Sequence, residues 1–379
     1  MNRDEGIYRQ LATHLDSLPG GFPETESGVE LRILKKLFSK EEAALACHLT
    51  LLDEKPKVVA YRAGISTTKA ESLLEGMARK GLIFYTPVDH DSDMYMAAQF
   101  VVGIWEMQVG YLDTELVELF EEYIPVLFDK EAWKTIPQLR TIPVEHSIEN
   151  ELKVLPYENA RELVNKKTDF VVTPCICRKE KEIAGEQCKK PEETCITFGT
   201  QDDYFVTSGF GRKASKEEVL KILDLADKKG LVIQPNNGKE ITWICCCCGC
   251  CCGVLRTIKN FPNPSELTSS PFTLAVNLDE CDGCKLCIKR CQMDALSVPE
   301  KKVVFDKDRC IGCGLCVTSC KTESLKLVRK PSSLQSKIPK DIVDASIKTL
   351  KIREKAKLPN LIMMLLRSKR DRFLARNYR

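Results

Sequence analysis

The sequence predicts an α+β multidomain protein, and three observations lead there. Apolar spacing changes along the chain from the 3.6-residue rhythm of helices to the short apolar or alternating runs of strands. Nineteen of the twenty cysteines fall between residues 175 and 320, where glycine turns separate strand-like runs. Clusters of proline and serine and a change in charge mark off the segments. A chain of 379 residues with 43% apolar content has room for two or three domains with cores of their own, which excludes disorder as a description of the whole. The charged start MNRDEGIYRQ lacks the apolar core of a signal peptide, and the longest aliphatic run, Leu361–Leu366, is six residues against about 20 for a spanning helix. A soluble chain retained in a reducing cytoplasm is expected, where thiols in this number serve as metal ligands rather than as a secreted disulfide framework.

Residues 1–28 form an N-terminal segment. Residues 29–102 carry helical spacing in LRILKKLF, SKEEAALACHL, KVVAYRAG and TTKAESLLEGMARK, the last with Ala70, Leu73, Leu74 and Met77 on one face before Gly81 ends it. LIFYTP and MYMAAQFVV follow as strands around the turn-rich VDHDSD. Helices followed by a hairpin is the order of a winged helix-turn-helix, so a winged-helix-like domain is expected. Residues 103–170 read as a polar helical connector with an aromatic stretch at Trp105, Tyr111, Phe120 and Tyr123.

Residues 171–258 read as a cysteine-rich α+β region. DFVVTP is a strand, a loop with four thiols follows, and SKEEVLKILDLADKKG is a helix between the cap Ser215 and the stop Gly230. LVIQP and ITWI are strand-like and lead into CCCCGCCCG. Pro262, Pro264 and Pro271, with Ser265, Ser269 and Ser270, mark a linker. Residues 272–329 form the last folded module, and residues 330–379 a basic amphipathic helical tail.

The net charge of +3 is unevenly spread: residues 321–379 hold 17 Lys+Arg against 5 Asp+Glu, a balance of +12, which leaves −9 for the rest. Within the tail Leu361, Met364, Leu365 and Leu366 are followed by Arg367, Lys369, Arg370 and Arg372, an apolar stripe beside a cationic one. Three settings suit such a helix: a membrane interface, which would make 358–379 peripheral to the inner face of the membrane, a partner protein, or the chain's own surface.

The chemistry is concentrated in a repeat. Cys281, Cys284, Cys287 and Cys291 form CxxCxxCxxxC, and Cys310, Cys313, Cys316 and Cys320 repeat it with every thiol displaced by 29 residues. Gly283 matches Gly312, Leu286 matches Leu315, Leu296 matches Leu325 and Val298 matches Leu327, so a whole structural unit of strand, ligand loop, short helix and strand is duplicated. Three thiolates two residues apart wrap a cubane while the fourth faces the other half. One [4Fe–4S] cluster is therefore expected on Cys281, Cys284, Cys287 and Cys320, and a second on Cys310, Cys313, Cys316 and Cys291. Zinc ribbons instead hold two CxxC knuckles well apart. Over residues 272–329 the chain resembles the bacterial two-[4Fe–4S] ferredoxins, with one departure: the proline that commonly follows the fourth cysteine is replaced by Gln292 and Lys321. Each restores a backbone donor, and the clusters are expected to be easier to reduce for it.

A second field of thiols lies upstream. TPCICRKEKEIAGEQCKKPEETC supplies Cys175, Cys177, Cys188 and Cys195, and ICCCCGCCCG supplies Cys245, Cys246, Cys247, Cys248, Cys250, Cys251 and Cys252. If the latter run is extended, Cys245 and Cys247 face one side and Cys246 and Cys248 the other, with Gly249 and Gly253 allowing a tight turn. At least one further Fe–S cluster is expected in 171–258, with the first four cysteines as ligands because they are spaced widely enough to reach around it. Another metal, plain packing and thiol redox chemistry remain as alternatives. Arg178 either tunes such a cluster or is an ordinary surface arginine. A CxCR segment and a CCxCCC-like run ahead of a two-cluster module make most of the chain similar to multidomain ferredoxin-type proteins of anaerobic microbes. That resemblance implies transfer of single electrons between redox partner proteins, by an electron carrier or electron-transfer subunit rather than a stand-alone enzyme. The adjacent cysteines also resemble the CCG motifs of heterodisulfide-reductase-type subunits, whose separate CxxC elements are missing here.

A winged helix joined to Fe–S clusters raises one alternative, a redox-sensing regulator that binds DNA. The recognition helix would offer Thr67, Lys69, Arg79 and Lys80, but Glu71 and Glu75 share its solvent side, and residues 1–100 hold 12 Lys+Arg against 15 Asp+Glu. Nucleic acid is not expected as a partner on that balance. His48 and His90 lack a second ligand at useful spacing, and GFGR at 209–212 is a turn rather than a phosphate loop, so no flavin, nucleotide or hydrolytic site is expected.

Overall fold

The computed structural model describes residues 3–88, 92–149, 152–199, 202–354 and 358–378. The chain divides into two units, Met1–Leu127 with Thr200–Phe210 and Ser346–Arg379, and Phe128–Gly199 with Gly211–Ala345. The first unit opens with α1 (Arg3–Asp16), α2 (Val29–Leu37), α3 (Lys40–Ala46), α4 (Pro56–Ala63), α5 (Thr67–Arg79), β1 (Ile83–Thr86), β2 (Met94–Ala97) and α6 (Thr114–Leu127). The second begins with α7 (Lys130–Thr135), α8 (Ala160–Asn165), β3 (Val171–Pro174), α9 (Ile176–Ile183) and β4 (Glu193–Thr197), after which α10 (Asp202–Thr207) belongs to the first. It continues through β5 (Arg212–Lys213), α11 (Lys216–Lys229), β6 (Val232–Pro235), β7 (Trp243–Cys247) and α12 (Gly253–Lys259). Then come β8 (Phe272–Val276), α13 (Leu286–Arg290), β9 (Leu296–Ser297), β10 (Val304–Phe305) and β11 (Leu325–Arg329). The chain closes with α14 (Ile342–Ile352) and α15 (Leu358–Leu374).

In the first unit several helices start or stop on a local signal. The Ser39 hydroxyl accepts from the Glu42 N–H while the Glu42 carboxylate accepts from the Ser39 N–H, a reciprocal cap that begins α3. Pro56 opens α4, and Gly64, in the left-handed region at φ +68°, closes it. Helix α5 buries Ala70, Leu74, Met77 and Ala78, whereas Leu73 is only half-buried. β1 and β2 pair antiparallel with Ile83 opposite Ala97; residues 89–91 of their connection, His90 included, lie outside the described residues. Residues 103–127, read from sequence as part of a connector, belong to this unit and supply its core. Trp105 and Phe120 stack at 3.6 Å beside Phe22, Phe100 and Tyr123, while Tyr111 stays exposed.

The C-terminal helix packs within the same unit. Ser368, Asp371 and Ala375 are buried, and Arg62 of α4 holds Glu54 at 2.8 Å and Asp371 at 3.0 Å. The Ser368 hydroxyl donates to Glu54 at 2.6 Å. Burial works against the Glu54 charge, but the bonds from Arg62 and Ser368 hold its carboxyl below the ordinary range. Leu365, Leu366 and Phe373 remain exposed, and the side chains of Leu361 and Met364 lie outside the described residues. Among the described residues no helix is long and apolar enough to cross a membrane.

The second unit is built on a five-stranded antiparallel sheet in the order β5-β3-β4-β7-β6. Helix α11, capped by Ser215 and ended by Gly230 at φ +71°, lays Val219, Ile222, Leu223 and Ala226 into a core with Ile196, Ile233 and Ile244. That core continues into the cysteine repeat through Met293, Ile311 and Leu315. The remainder of the connector segment works here as well: Ile142 bridges Ile233, and the Val144 N–H donates to the Cys313 carbonyl at 3.0 Å. The proline- and serine-rich stretch expected as a linker is packed instead, with Leu267, Ser269 and Ser270 buried and the Ser269 carbonyl accepting from the Thr141 N–H. The Ser270 hydroxyl accepts from the Phe272 N–H, so a short polar side chain that suits a loop also suits a buried turn.

Candidate iron–sulfur and thiol centres

The two halves of the repeat fold alike. β8 pairs with β11 and β9 with β10, around a core of Leu274, Leu296, Val298, Val303 and Leu325. Gly283 and Gly312, 29 residues apart, share φ values of +71° and +67°. A Cβ at the first would stand 2.4 Å from the Lys301 carbonyl oxygen and at the second 2.3 Å from that of Phe272. Both ligand loops thus require glycine in the same place for the same reason. The Ala295 N–H donates to the Cys291 sulfur at 3.2 Å, the kind of amide that stabilises a cluster ligand.

The surroundings of the halves differ. Cys284 is exposed, whereas burial pushes the Cys313 thiol up to about 12, with Cys291 and Cys310 acting in the same direction. Cys316 is raised strongly, first by burial and then by Cys313, Cys310 and Cys291. Cys291 and Cys287 both lie close enough to the second loop to act on Cys316, and Cys287 also feels Cys281 and Cys284. Arg290, next to Cys291, anchors this arrangement by donating to Asp227 at 2.6 Å, Thr318 at 2.9 Å and the Leu315 carbonyl at 3.1 Å.

Ten of the eleven upstream thiols fall into two groups. The first follows from strand register. Cys195 of β4 lies opposite Cys245 of β7, their sulfurs 4.0 Å apart, and Cys247 points to the same side two residues on. Cys175 and Cys252 are the N-caps of α9 and α12. Thiol–thiol contacts form an unbroken row from Cys175 through Cys177, Cys252, Cys247 and Cys245 to Cys195. Along it Cys175, Cys252 and Cys245 are held below the ordinary thiol range, each first by a hydrogen bond from a neighbouring thiol, and Cys177 and Cys247 are raised correspondingly. The Val254 and Leu255 amides add to the stabilisation of Cys252, as the start of a helix does for a thiolate.

The second group is Cys188, Cys248, Cys250 and Cys251, whose sulfurs all lie within 4.8 Å of one another. The four cysteines expected to act together, Cys175, Cys177, Cys188 and Cys195, are thus divided, Cys188 joining the poly-cysteine turn and the others the six-thiol row. Cys246 joins neither group. It faces the core, where burial raises its thiol to about 12.

Arg178 is buried at 4% exposure, which excludes the surface reading. Its guanidinium donates to Thr194 and, at 2.8 Å, to the Cys246 carbonyl, and the thiolates of Cys175 and Cys248 outweigh burial to hold it protonated. A fixed positive charge between two thiol groups suits an anionic metal–thiolate centre. Sequence reasoning also missed the role of Gln292. Its side-chain oxygen accepts from the Gly249 N–H at 2.7 Å, and a Cβ on Gly249 would stand 2.4 Å from the Gln292 carbonyl oxygen, so the poly-cysteine turn rests directly on the residue after Cys291. Histidine contributes to no ligand group among the described residues.

No curated protein and no solved structure matches the chain. Residues 280–324 match the family model of the 4Fe-4S dicluster domain, a span that contains all eight cysteines of the repeat, so this part of the chain is an iron–sulfur-binding segment of ferredoxin type.

Proposed function

We propose that the chain is a multi-cluster electron-transfer protein of an anaerobic cytoplasm, passing single electrons between redox partner proteins. The observation that carries this reading is the seat of the poly-cysteine turn on Gln292, beside Cys291, which puts the upstream thiols next to the dicluster segment. One [4Fe–4S] cluster is assigned to Cys281, Cys284, Cys287 and Cys320, the second to Cys310, Cys313, Cys316 and Cys291, and a further Fe–S centre to the six-thiol row. Such clusters supply one-electron redox chemistry when bound. The chain's own residues hold them, cover the second loop more fully than the first, leave Cys284 open to a partner, and balance negative charge through Arg178.

The helices and hairpin of residues 29–102 are assigned to a winged-helix-like unit that docks protein. Lys69 pairs with Glu41 at 2.6 Å, Arg79 with Glu75 at 3.3 Å and Lys80 with Glu42 at 2.8 Å, so the cations a DNA reader would extend to phosphates are already met by carboxylates. The exposed side of α15, with Leu365, Leu366 and Phe373 beside Arg367 and Lys369, is assigned to a partner surface.

Iron, acid-labile sulfide and EPR of the dithionite-reduced, anaerobically purified protein test the reading. About twelve irons and as many sulfides per chain are expected, about eight would confine clusters to the repeat, and colourless protein without sulfide would overturn it.

A further inference from the structure

We propose that Cys188, Cys248, Cys250 and Cys251 form a closed tetrahedral site for a single thiophilic divalent ion, zinc or ferrous iron, and not a ligand set for a cubane. The spacing of the sulfurs carries the inference. Cys188 stands 3.9 Å from Cys248 and 3.8 Å from Cys250, and Cys250 stands 3.6 Å from Cys251. A metal–sulfur bond of about 2.3 Å in a regular tetrahedron sets its thiolates about 3.8 Å apart. A core of four irons and four sulfides is far larger than one ion and holds its thiolates well beyond that spacing.

The molecule contains its own control. Among the described residues no other three ligand atoms gather within 4.8 Å of one another, although eight cysteines of the repeat carry the cubane spacing. Local sequence accounts for the compactness: the Cys251 and Cys252 N–H groups both donate to the Cys248 carbonyl, folding three of the ligands into one turn. The fourth, Cys188, arrives from the loop after α9.

All four positions are filled by protein, which is the signature of a structural ion with no open coordination site. Four thiolates and a divalent ion leave a net charge of −2, and the buried Arg178 guanidinium reaches Cys248 from within. The ion ties the Cys188 loop to the turn that rests on Gln292, so it keeps the upstream thiols seated against the dicluster segment.

The test uses the full-length protein purified anaerobically, as wild type and as Cys188→Ser and Cys250→Ser. Elemental analysis and acid-labile sulfide are measured on each, with X-ray absorption at the zinc edge and Mössbauer spectra of the wild type. The expected result is loss of about one zinc or one iron per chain in both variants with sulfide unchanged. The wild-type spectra should show zinc in a shell of four sulfurs with no neighbouring metal, or a high-spin ferrous tetrathiolate distinct from cluster iron. If the variants fail to fold, the wild-type spectra decide alone. Iron and sulfide falling together by about four each in the variants, unchanged metal content in folded variants, or neither wild-type signature, overturns the proposal. Absence of sulfide from the wild type would sink the cluster reading instead and leaves the zinc or iron stoichiometry to be read.

Discussion

Arg178 and Gln292 owe their chemistry to neighbours distant in the sequence. Replacing Arg178 with Met removes a buried cation and leaves the Cys246 carbonyl and the thiolates of Cys175 and Cys248 without it. A loss of about 3–5 kcal/mol is expected, as for other broken buried charge networks, read as a lower denaturation midpoint. Where the variant still folds, any redox signal from residues 175–252 should move to a more negative potential, by about 60 mV if the lost interaction is worth a factor of ten, while signals of the C-terminal repeat stay in place. Gln292→Pro takes away a backbone donor next to Cys291 and the acceptor for the Gly249 N–H. It should make the associated cluster harder to reduce, whereas Lys321→Pro should do so without disturbing the turn. Equal midpoints in wild type and both variants in a potentiometric titration would remove this account. Gly249→Ala presses a methyl group against the Gln292 carbonyl and should cost about 1–3 kcal/mol, visible as faster iron release to a chelator.

Two elements carry the next set of expectations. The C-terminal helix is held on α4 by Glu54, Arg62, Ser368 and Asp371. Both carboxyls are held below their ordinary range, despite burial, by the bonds from Arg62, Ser368 and Arg370. A depressed folded-state value means that this stabilisation is complete above the ordinary carboxylate range and is lost as pH falls through and below it. Limited proteolysis should therefore release α15 in acid and spare it near neutrality. Arg62→Met should release it at neutral pH, and a helix equally protected at all pH values would count against the network. Liposome co-sedimentation of the full chain and a form ending at residue 330 separates a lipid role for the exposed side from a protein partner; equal partitioning favours the partner. The ligand loops form the other element. A Cβ at Gly283 or Gly312 meets a backbone carbonyl in each case, so alanine at either position should lower iron content, and the second should cost more because its loop is more deeply buried.

At the level of the whole chain, what was legible was what repeats or stays local. The 29-residue displacement exposed the duplicated module because ligands, glycines and core leucines all carry it. Ser215 and Gly230 bound α11 with signals only a turn long. Residues 103–170 were harder: Trp105 and Phe120 pack on Phe100, Tyr123 on Phe22, and Ile142 on a sheet edge at Ile233, partners that no periodicity names. The upstream thiols show the same limit. Alternation along an extended run separated Cys245 and Cys247 from Cys246, but which cysteines they meet depends on the register of β4 against β7 and on where the turn at Gly249 folds back. Cys188 accordingly could not be assigned to the turn from its spacing. The unequal covering of the repeat gives the protein a vulnerable side. Air or a mild oxidant reaches the exposed Cys284 before the half-buried Cys313, so visible absorbance should bleach in two phases, and iodoacetamide added during bleaching should alkylate Cys284 in the first and Cys313 only in the second.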